Sequence, residues 1–449
     1  MKRLLYISFR LFYTIKHGIT RRFTTAGLLV LVGVGASAVV GLDTNQTMAY
    51  QAFTFLLSLL AFSIIWAVFF RAHLTVHRKL PRFGTAGEPL IYRILVGNRS
   101  SRKEAGLSLL EIIEYTHPTF EEFLQAPDPY EQVRNPFDKT VGYHRWSWLL
   151  SRKQVARVKE QNLPDLPPRG EQEIRAEIIP MRRGNLRLTG TALACPDPFN
   201  LFKSFVAIAC PQSVLVLPRR YPLPPIQLPG IRKYQPGGVA LASSVGDSEE
   251  FLSLRDYRPG DPLRRIHWKC WAKIGKPIVK EYQDEFFVRH ALILDTFQKA
   301  HYSEVFEEAI SVAASFACSL QTPESLLDLM FVGTRAYCFT SGRGLAHMDK
   351  FLEILASVRA CRDKPFSALY PLVLERSSIL SGCICILISW DAERKNLISL
   401  LKSHGVPVLV LVITDDKEDK PLDPGPMKGE PENFHCLPVG KIKEGLARL

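Results

Sequence analysis

The sequence lacks the short motifs that mark the common catalytic sites. It has no Gly-x-x-x-x-Gly-Lys-Ser/Thr phosphate loop, no Gly-x-Ser-x-Gly nucleophile elbow and no His-Glu-x-x-His zinc pair. Gly342 and Gly344 stand without the remainder of a dinucleotide-binding fingerprint. His267 is the best-placed histidine for chemistry, but its close neighbours are basic and offer no carboxylate to orient the ring. We therefore expect a protein that is not an enzyme and that uses no cofactor.

Cysteine is present without the spacing that would give it chemistry. The 9 cysteines are an odd number, are scattered along the chain, and include no Cys-x-x-Cys pair of the zinc or redox kind. Only Cys383 and Cys385 are close, two positions apart on an apolar run. This usage is typical of a reduced cytosolic setting, where cysteine serves as a small apolar side chain.

Charge is absent from two long apolar runs, Phe23 to Leu42 and Ala49 to Phe70. Each run is long enough to cross a bilayer as a helix. Basic residues flank the pair on its outer sides, namely Lys2, Arg3, Arg10, Lys16, Arg21, Arg22, Arg71, Arg78 and Lys79. The connecting turn, residues 43–47, contains no Lys or Arg. The positive-inside rule therefore predicts a transmembrane helical hairpin within residues 1–80, with both ends in the cytoplasm of a cell with an inner membrane.

A cleaved signal peptide is the competing interpretation of the first apolar run. Ala36, Ser37 and Ala38 have the small-x-small form that a signal peptidase accepts. The basic leader before the run is long for a signal peptide. Even after cleavage, the second run would deliver the rest of the chain to the cytoplasm.

Short strand-like segments dominate residues 81–220 and predict a β-sandwich-like domain. The predicted strands are 89–96, 106–115, 173–180, 185–195, 205–209 and 214–217. Between them, residues 118–168 are rich in proline and charge, with Trp146 and Trp148 embedded, which indicates an irregular insertion. A stretch rich in proline and glycine then begins the segment 221–289, which reads as a linker followed by a helix.

The stretch Arg255 to Glu281 is the most informative part of the chain. Asp261 is a suitable N-cap, and Pro262 suits the first helical position, where no N–H is needed. Gly275 and Pro277 mark the predicted end of the helix. The apolar residues at helical spacing are Leu263, Ile266, Cys270 and Ile274. This spacing predicts a helix that turns one apolar stripe towards a core.

The remaining surface of this stretch is basic and aromatic. Residues 255–280 contain eight Lys or Arg against Asp256 and Asp261, a local balance of +6. One interpretation is a partner-binding surface made of Arg258, Asp261, Arg264, Arg265, His267, Trp268 and Lys269. The other is a structural junction in which the two aspartates pair with neighbouring arginines and the tryptophans are core.

Two motifs resemble the bacterial and archaeal domain of unknown function 58 family. The first is Tyr-Arg-Pro-Gly-Asp at 257–261, followed by the run Arg-Arg-Ile-x-Trp-Lys at 264–269. The second, upstream, is Arg183-Gly184, then Asp-Pro-Phe-Asn-Leu-Phe at 197–202, then the Val-rich segment 214–218. Asn200 replaces the glycine usual in the family, a mild departure because Asn also tolerates positive φ. The resemblance implies a membrane-anchored protein whose partner is a MoxR-type AAA+ ATPase.

Alternating strands and helices across residues 290–449 predict a doubly wound, largely parallel sheet. The predicted elements are strands 290–294, 326–332, 336–340, 383–389 and 406–413, with helices 303–320, 348–361 and 394–404. This order resembles a von Willebrand factor A-like domain, which the family resemblance also implies. The predicted fold class is therefore multi-domain: two transmembrane helices, a β-sandwich-like domain, and an α/β von Willebrand factor A-like doubly wound sheet.

The metal site of such a domain is degenerate in this sequence. In the resembled domains an Asp-x-Ser-x-Ser motif follows the first strand, because hydroxyl and carboxylate oxygens suit a hard divalent cation. Here Asp295 is followed by Phe297 and Lys299 at the hydroxyl positions, and a lysine ammonium would repel the ion. Asp391 falls where a second acidic residue is usual. We therefore predict no bound metal and a crevice used for protein binding.

Two functions follow from these observations. The first is a membrane-tethered cytoplasmic scaffold or adaptor that docks the AAA+ ATPase in the assembly or maturation of a protein complex. The alternative is a basic-aromatic surface that binds anionic lipid or nucleic acid directly, through Arg258, Arg264, Arg265 and Lys269 with stacking from Trp268 and Trp271. Nucleic acid ranks below lipid, because the domain would be held close to the inner leaflet.

Overall fold

The computed structural model describes residues 2–40, 47–70, 72–114, 117–125, 135–224, 251–261, 263, 266–282, 288–299, 302–319, 325–341, 345–415 and 422–449. The chain divides into two compact units, Met1–Leu217 and Pro218–Leu449. Helices lead into two sheets in the first unit, and strands alternate with helices in the second. The architecture is thus mixed α/β and multi-domain, as predicted at this coarse level.

Three helices open the first unit: α1 (Lys2–Arg22), α2 (Thr25–Val40) and α3 (Thr47–Phe69). Within α3, the 22 residues Met48–Phe69 have a mean hydropathy of 2.3 and are long enough to cross a membrane. Helix α2 is equally apolar, with 16 described residues, and it begins where Thr24 accepts a 3.1 Å hydrogen bond from the Gly27 N–H. Residues 41–46, where the predicted first span ends, lie outside the described residues. Among the described residues, α3 alone is both long and apolar enough to be a candidate membrane span, in place of the two spans predicted.

Nine strands form the two sheets of the first unit: β1 (Leu74–Lys79), β2 (Phe83–Thr85), β3 (Leu90–Asn98), β4 (Ser108–Ile113), β5 (Ala156–Val158), β6 (Gln161–Asn162), β7 (Glu171–Pro180), β8 (Gly184–Pro196) and β9 (Lys203–Leu217). The sheets have the orders β1-β3-β7-β5 and β2-β9-β8-β4-β6, and every pair except β2–β9 is antiparallel. Side chains alternate along β3, so that Tyr92 and Ile94 are buried while Ile91 is exposed. Both sheets contribute to one apolar core, with Ile178 from one and Leu186 from the other.

The insertion predicted to be irregular contains three helices: α4 (Phe120–Gln125), α5 (Pro136–Val141) and α6 (Tyr143–Lys153). The prediction was wrong for the described part of 118–168 because the aromatic side chains there build a core of their own. Trp146 is only 1% exposed and packs with Phe123 and Leu149. Tyr6 of α1 closes this cluster, with its ring centroid 5.3 Å from that of Trp146.

The second unit begins with a two-stranded sheet, β10 (Phe251–Asp256) and β11 (Ile278–Tyr282), with helix α7 (Trp268–Ile274) between the strands. A six-stranded sheet follows: β12 (Val288–Leu294), β13 (Ser325–Val332), β14 (Ala336–Ser341), β15 (Gly382–Leu387), β16 (Val408–Thr414) and β17 (Phe434–Pro438). The connecting helices are α8 (Glu304–Ser319), α9 (Leu345–Ser357), α10 (Tyr370–Arg376), α11 (Ala392–Ser403) and α12 (Ile442–Leu446).

The six-stranded sheet is parallel except at one edge. Its order is β14-β13-β12-β15-β16-β17, and only β13 and β14 run antiparallel. Every residue of β15 is buried, as expected for an interior strand of a parallel sheet. The direction in which successive strands are added reverses between β12 and β15. At such a reversal the carboxyl ends of the two strands open a crevice.

Candidate functional site

The first candidate site is the signature hairpin, defined as residues 251–282. Its loop folds back onto β11 through backbone hydrogen bonds: the Tyr257 N–H donates to the Pro277 carbonyl at 3.0 Å, and the His267 N–H donates to the Ile278 carbonyl at 2.8 Å. Ile266 forms a single antiparallel bridge with Val279 and is buried. The loop is therefore attached to the strand before α7 begins.

Asp261 stabilises the turn of this hairpin instead of capping a helix. Its two carboxylate oxygens accept from the Arg255 guanidinium, each at 2.8 Å, and one also accepts from the Arg258 N–H at 2.8 Å. These bonds from Arg255 and Arg258 lower the pKa of Asp261 to about 2. The predicted helix start at Asp261 was wrong, because α7 begins at Trp268 with His267 as its N-cap. Pro262, the predicted first helical residue, lies outside the described residues.

Helix α7 is capped by a histidine at its start and by glycine at its end. The Nδ1 atom of His267 accepts from the Cys270 N–H at 3.0 Å. Gly275 ends the helix in the left-handed region with φ 73°, as predicted. The predicted apolar stripe was wrong at Leu263 and Ile274, which are 66% and 59% exposed, whereas Ile266 is buried and Cys270 is half-buried. A helix this short covers one turn of the hairpin and leaves its outer face in solvent.

That outer face is aromatic and basic. Trp268 is 62% exposed, and its ring stacks on that of Trp271 with centroids 5.2 Å apart and planes 21° apart. Lys269 and Lys273 are exposed on the same short helix. The interpretation of Trp268 as a core residue is therefore wrong. Arg264 and Arg265 lie outside the described residues, so their part in the predicted surface remains a prediction.

The second candidate site is the carboxyl edge, defined as the residues that follow β12 and β15 at the reversal of the sheet. Asp295 follows β12, is 0% exposed, and accepts from Arg394 Nε at 3.0 Å and from Arg394 Nη2 at 3.2 Å. Asp391 follows β15, caps α11 by accepting from the Arg394 N–H at 3.1 Å, and contacts Arg394 Nη1 at 2.5 Å. The two acids singled out in the sequence thus lie at one place, with a guanidinium between them.

Arg394 supplies a positive charge from the protein itself at the carboxyl edge. Burial alone would lower the pKa of Arg394, but Asp295 and Asp391 outweigh it, and the pKa is raised. The guanidinium also lies 4.3 Å from the centroid of the Phe366 ring. Among the described residues, no cluster of three or more His, Cys, Asp or Glu side chains could hold a metal ion. Sequence reasoning missed Arg394, although a basic residue three positions after Asp391 was a visible signal.

A groove of about 800 Å³ lies beside the hairpin β13–β14. Its aromatic wall is a row of stacked rings, with Phe331 to Tyr337 at 5.3 Å and Tyr337 to Phe339 at 5.9 Å between centroids. The facing loop, residues 358–364, contributes the basic residues Arg359, Arg362 and Lys364. Lys350 adds a fourth cation to the lining, and Glu353 and Asp363 add two acids, so the groove is aromatic and basic on balance and suits an acidic peptide segment. Only the folded sheet brings these residues together, so no sequence pattern indicated the groove.

The upstream motif, residues 197–202, forms a tight loop around Asp197. The Asp197 carboxylate accepts from the N–H groups of Leu201 at 2.6 Å and Phe202 at 2.8 Å, and from Ser63 Oγ of α3 at 2.7 Å. Asn200 has φ 56°, the positive value that the sequence predicted it could tolerate. The loop therefore joins the sheets of the first unit to the apolar helix α3.

One protein family matches part of the second unit. Residues 253–372 match the model of the family described as protein of unknown function DUF58. The DUF58 family is thus matched over this part of the chain. The family resemblance predicted from the sequence is confirmed over this range, which includes most of the signature hairpin, Asp295 and the basic-aromatic groove. The upstream motif at 197–202 and the pair Asp391 and Arg394 lie outside the DUF58 match.

One curated relative matches part of the chain. The uncharacterized protein YeaD of Bacillus subtilis (strain 168) is 28% identical over 137 residues, which are 30% of this chain and 33% of YeaD. The chain thus matches about a third of the relative's length.

Among solved structures, the CARDB domain of PF1109 from Pyrococcus furiosus, in complex with di-metal ions, is 14% identical, with 32% of this chain and 93% of that chain covered and a TM-score of 0.18. The sporulation control protein Spo0M of Bacillus subtilis is 8% identical, with 33% and 50% covered and a TM-score of 0.15. Scores this low establish no common fold.

Proposed function

We propose that this protein is a membrane-tethered cytoplasmic scaffold or adaptor that docks a MoxR-type AAA+ ATPase during the assembly or maturation of a protein complex. The observation that carries the proposal is the exposed ring of Trp268, which stacks on the half-buried ring of Trp271 beside the exposed Lys269 and Lys273, on the short helix of the signature hairpin. Exposed tryptophans are costly to leave in water and are enriched at the centres of protein interfaces. The Asp261 carboxylate holds the adjoining turn in one conformation, so little ordering is needed on binding.

The carboxyl edge supports a protein-binding role for the second unit. Numbered within its own sheet, the strand order is 3-2-1-4-5-6, a common doubly wound order that places ligands at the reversal between strands 1 and 4. We propose that this sheet is a von Willebrand factor A-like domain in which Arg394 stands in place of the divalent cation. A buried, permanently charged guanidinium supports Asp295 without metal.

Membrane tethering rests on α3 and on its packing with α2. A Cβ at Gly33 of α2 would lie 3.2 Å from Leu56 Cδ1 of α3, so the two apolar helices are closely packed. With six basic residues before α2, this packing favours a hairpin whose two ends face the cytoplasm. We propose a multi-pass protein of the cell inner membrane, with both units in the cytoplasm.

Affinity capture tests the docking proposal. The full-length protein, solubilised in detergent from its native membrane, is compared with a Lys269→Glu/Lys273→Glu variant, and bound proteins are identified by mass spectrometry. The control variant, Lys443→Glu/Arg448→Glu, reverses the same amount of charge at exposed positions elsewhere in the second unit. An AAA+ ATPase that is retained by the control and lost from the Lys269 variant supports the proposal. Equal capture by all three proteins, or no ATPase at all, contradicts it.

Direct binding of anionic lipid or nucleic acid is the second candidate, favoured by the same exposed Trp268 ring beside two exposed lysines. Salt dependence separates the two functions. Phosphate binding through lysine should weaken steeply as ionic strength rises, whereas an interface centred on the Trp268 and Trp271 rings should tolerate salt better. Partner capture is therefore repeated across salt concentrations, together with binding of a labelled single-stranded oligonucleotide.

A further inference from the structure

Helix α1 has one face that is committed to the protein core. Tyr6 and Phe9 point into the insertion, with ring centroids 5.3 Å from Trp146 and 5.6 Å from Tyr143, respectively. Tyr13 lies on the same face one turn later, and its ring centroid is 6.1 Å from that of His117. These contacts fix the rotation of α1 about its axis.

The opposite face of α1 is an apolar stripe in solvent. Leu4, Ile7, Leu11 and Ile15 follow one another at three- and four-residue steps, which places them along one side of the helix. They are 73%, 51%, 59% and 51% exposed. Four large aliphatic side chains in one row are too many to be explained as scattered surface residues.

Basic residues border this stripe. Helix α1 contains Lys2, Arg3, Arg10, Lys16, Arg21 and Arg22 and has no acidic residue. Arg3, Arg10 and Arg21 fall on one flank, because steps of seven and eleven residues are close to whole numbers of helical turns. An apolar stripe beside a row of cations is the pattern of a helix that lies in the surface of an anionic bilayer.

The position of α1 in the chain agrees with that surface. Helix α2 begins at Thr25, three residues after α1 ends, and packs on the candidate membrane span α3. Phe199 of the upstream loop, residues 197–202, also contacts α3, and its ring centroid lies 5.7 Å from that of Phe62. Both of these phenylalanines are more than half exposed, at 52% and 53%. Exposed aromatic rings beside a span are typical of the membrane boundary.

We infer that α1 is an interfacial helix that lies along the cytoplasmic leaflet and binds anionic phospholipid. Leu4, Ile7, Leu11 and Ile15 enter the acyl-chain boundary, while Arg3 and Arg10 lie at the lipid phosphates. A second copy of the chain is a poorer occupant, because it would bring another set of six cations and no acid against the same face. The inference rests on the proposed insertion of α3, and it adds that the insertion helices are held at the membrane surface through Tyr6 and Phe9.

Photocrosslinking in nanodiscs tests the inference on the full-length protein. The protein is reconstituted in discs that contain both phosphatidylcholine and phosphatidylglycerol. The photoreactive acyl chain is carried by phosphatidylcholine in one set of discs and by phosphatidylglycerol in the other, and labelled peptides are mapped by mass spectrometry. Labelling of the α3 peptide is the internal reference. We expect labelling of residues 4–15 at a level comparable to α3, and an Arg10→Gln variant should reduce the preference for phosphatidylglycerol about fivefold, the equivalent of about 1 kcal/mol per basic residue.

The control variants distinguish the possible failures. Leu11→Glu should remove most of the label from α1 and none from α3, whereas Phe137→Glu, which changes an apolar α5 residue that is 76% exposed, should change neither. Label on α3 with none on α1, crosslinks between two copies of α1, or an equal loss in the Phe137 variant would overturn the inference. Absence of label on α3 would instead contradict the proposed membrane insertion.

Discussion

At the scale of single residues, Arg394 determines what the carboxyl edge can bind. Asp295 is fully buried, and burial raises the pKa of its carboxyl while Arg394 opposes that shift. The planar guanidinium meets both carboxylate oxygens of Asp295 and still reaches Asp391. A charged side chain from the protein itself therefore neutralises the two acids at the carboxyl edge.

Removing this cation should destabilise the second unit. Arg394→Met leaves Asp295 buried without its partner, and we expect a loss of about 3 to 5 kcal/mol in the free energy of unfolding, measured by urea titration. Arg376→Met is the matched control, because Arg376 is 34% exposed in its side chain and lies 3.9 Å from Asp328. That change should cost about 1 kcal/mol or less. Similar losses in both variants would contradict the role given to Arg394.

Divalent metal should have no effect on the native carboxyl edge. Because Arg394 occupies the space between Asp295 and Asp391, millimolar Mn²⁺ should leave the melting temperature of the native protein unchanged. An Arg394→Ser variant exposes two carboxylates to solvent, and Mn²⁺ should raise its melting temperature by mass action. Stoichiometric micromolar binding by the native protein in calorimetry, lost on Asp295→Ala, would show that the prediction is wrong.

The turn of the signature hairpin should be sensitive to acid. The folded pKa of Asp261 is about 2, below its ordinary value of 3.8, so its contribution is present above pH 4 and is lost as the pH falls towards 2. We expect the melting temperature of the native protein to exceed that of Asp261→Asn at neutral pH. The gap should narrow between pH 4 and pH 2, whereas a gap independent of pH would show that the carboxylate charge is not what holds the turn.

At the scale of elements, local rules identified helix ends better than helix starts. Gly275, with φ 73°, ends α7 as predicted, and Gly405, with φ 66°, follows the helix that was predicted over 394–404; glycine adopts such values at little cost. Asp261 had every local mark of an N-cap, but Arg255 lies six residues back and takes both oxygens. The pair Asp295 and Arg394 is 99 residues apart, so only the folded sheet shows it.

The helix that carries Trp268, α7, should depend on its N-cap His267 for stability. His267→Ala removes the acceptor of the Cys270 N–H, and we expect a loss of about 1 kcal/mol in stability. His267→Asn keeps an acceptor at the N-cap and should recover most of it. Hydrogen exchange of residues 268–274 provides the measurement. Equal protection in the alanine and native proteins would mean that α7 does not depend on this cap.

At the scale of the whole molecule, the sequence predicted the order of its parts better than the length of its first span. The charge-free run from Phe23 to Leu42 indicated a full membrane crossing, yet the described helix begins only at Thr25. Two residues before it, Phe23 forms a bridge with Phe202, and its ring lies 5.0 Å from that of Phe202. Hydropathy alone could not show that Phe23, at the start of the run, would form a bridge with Phe202, which lies 179 positions away.

Reporter fusions can establish whether α2 crosses the membrane with α3. If both helices cross, alkaline phosphatase fused after Leu449 should be inactive and a fluorescent protein at the same place should fluoresce, because both chain ends are cytoplasmic. Phosphatase fused after Asn45, between the two apolar runs, should be active and serves as the control. If α3 alone crosses, the N-terminus and the C-terminus lie on opposite sides. The cytoplasmic charge of α1 then predicts an active phosphatase at Leu449, which would contradict the hairpin and place both units outside the cytoplasm.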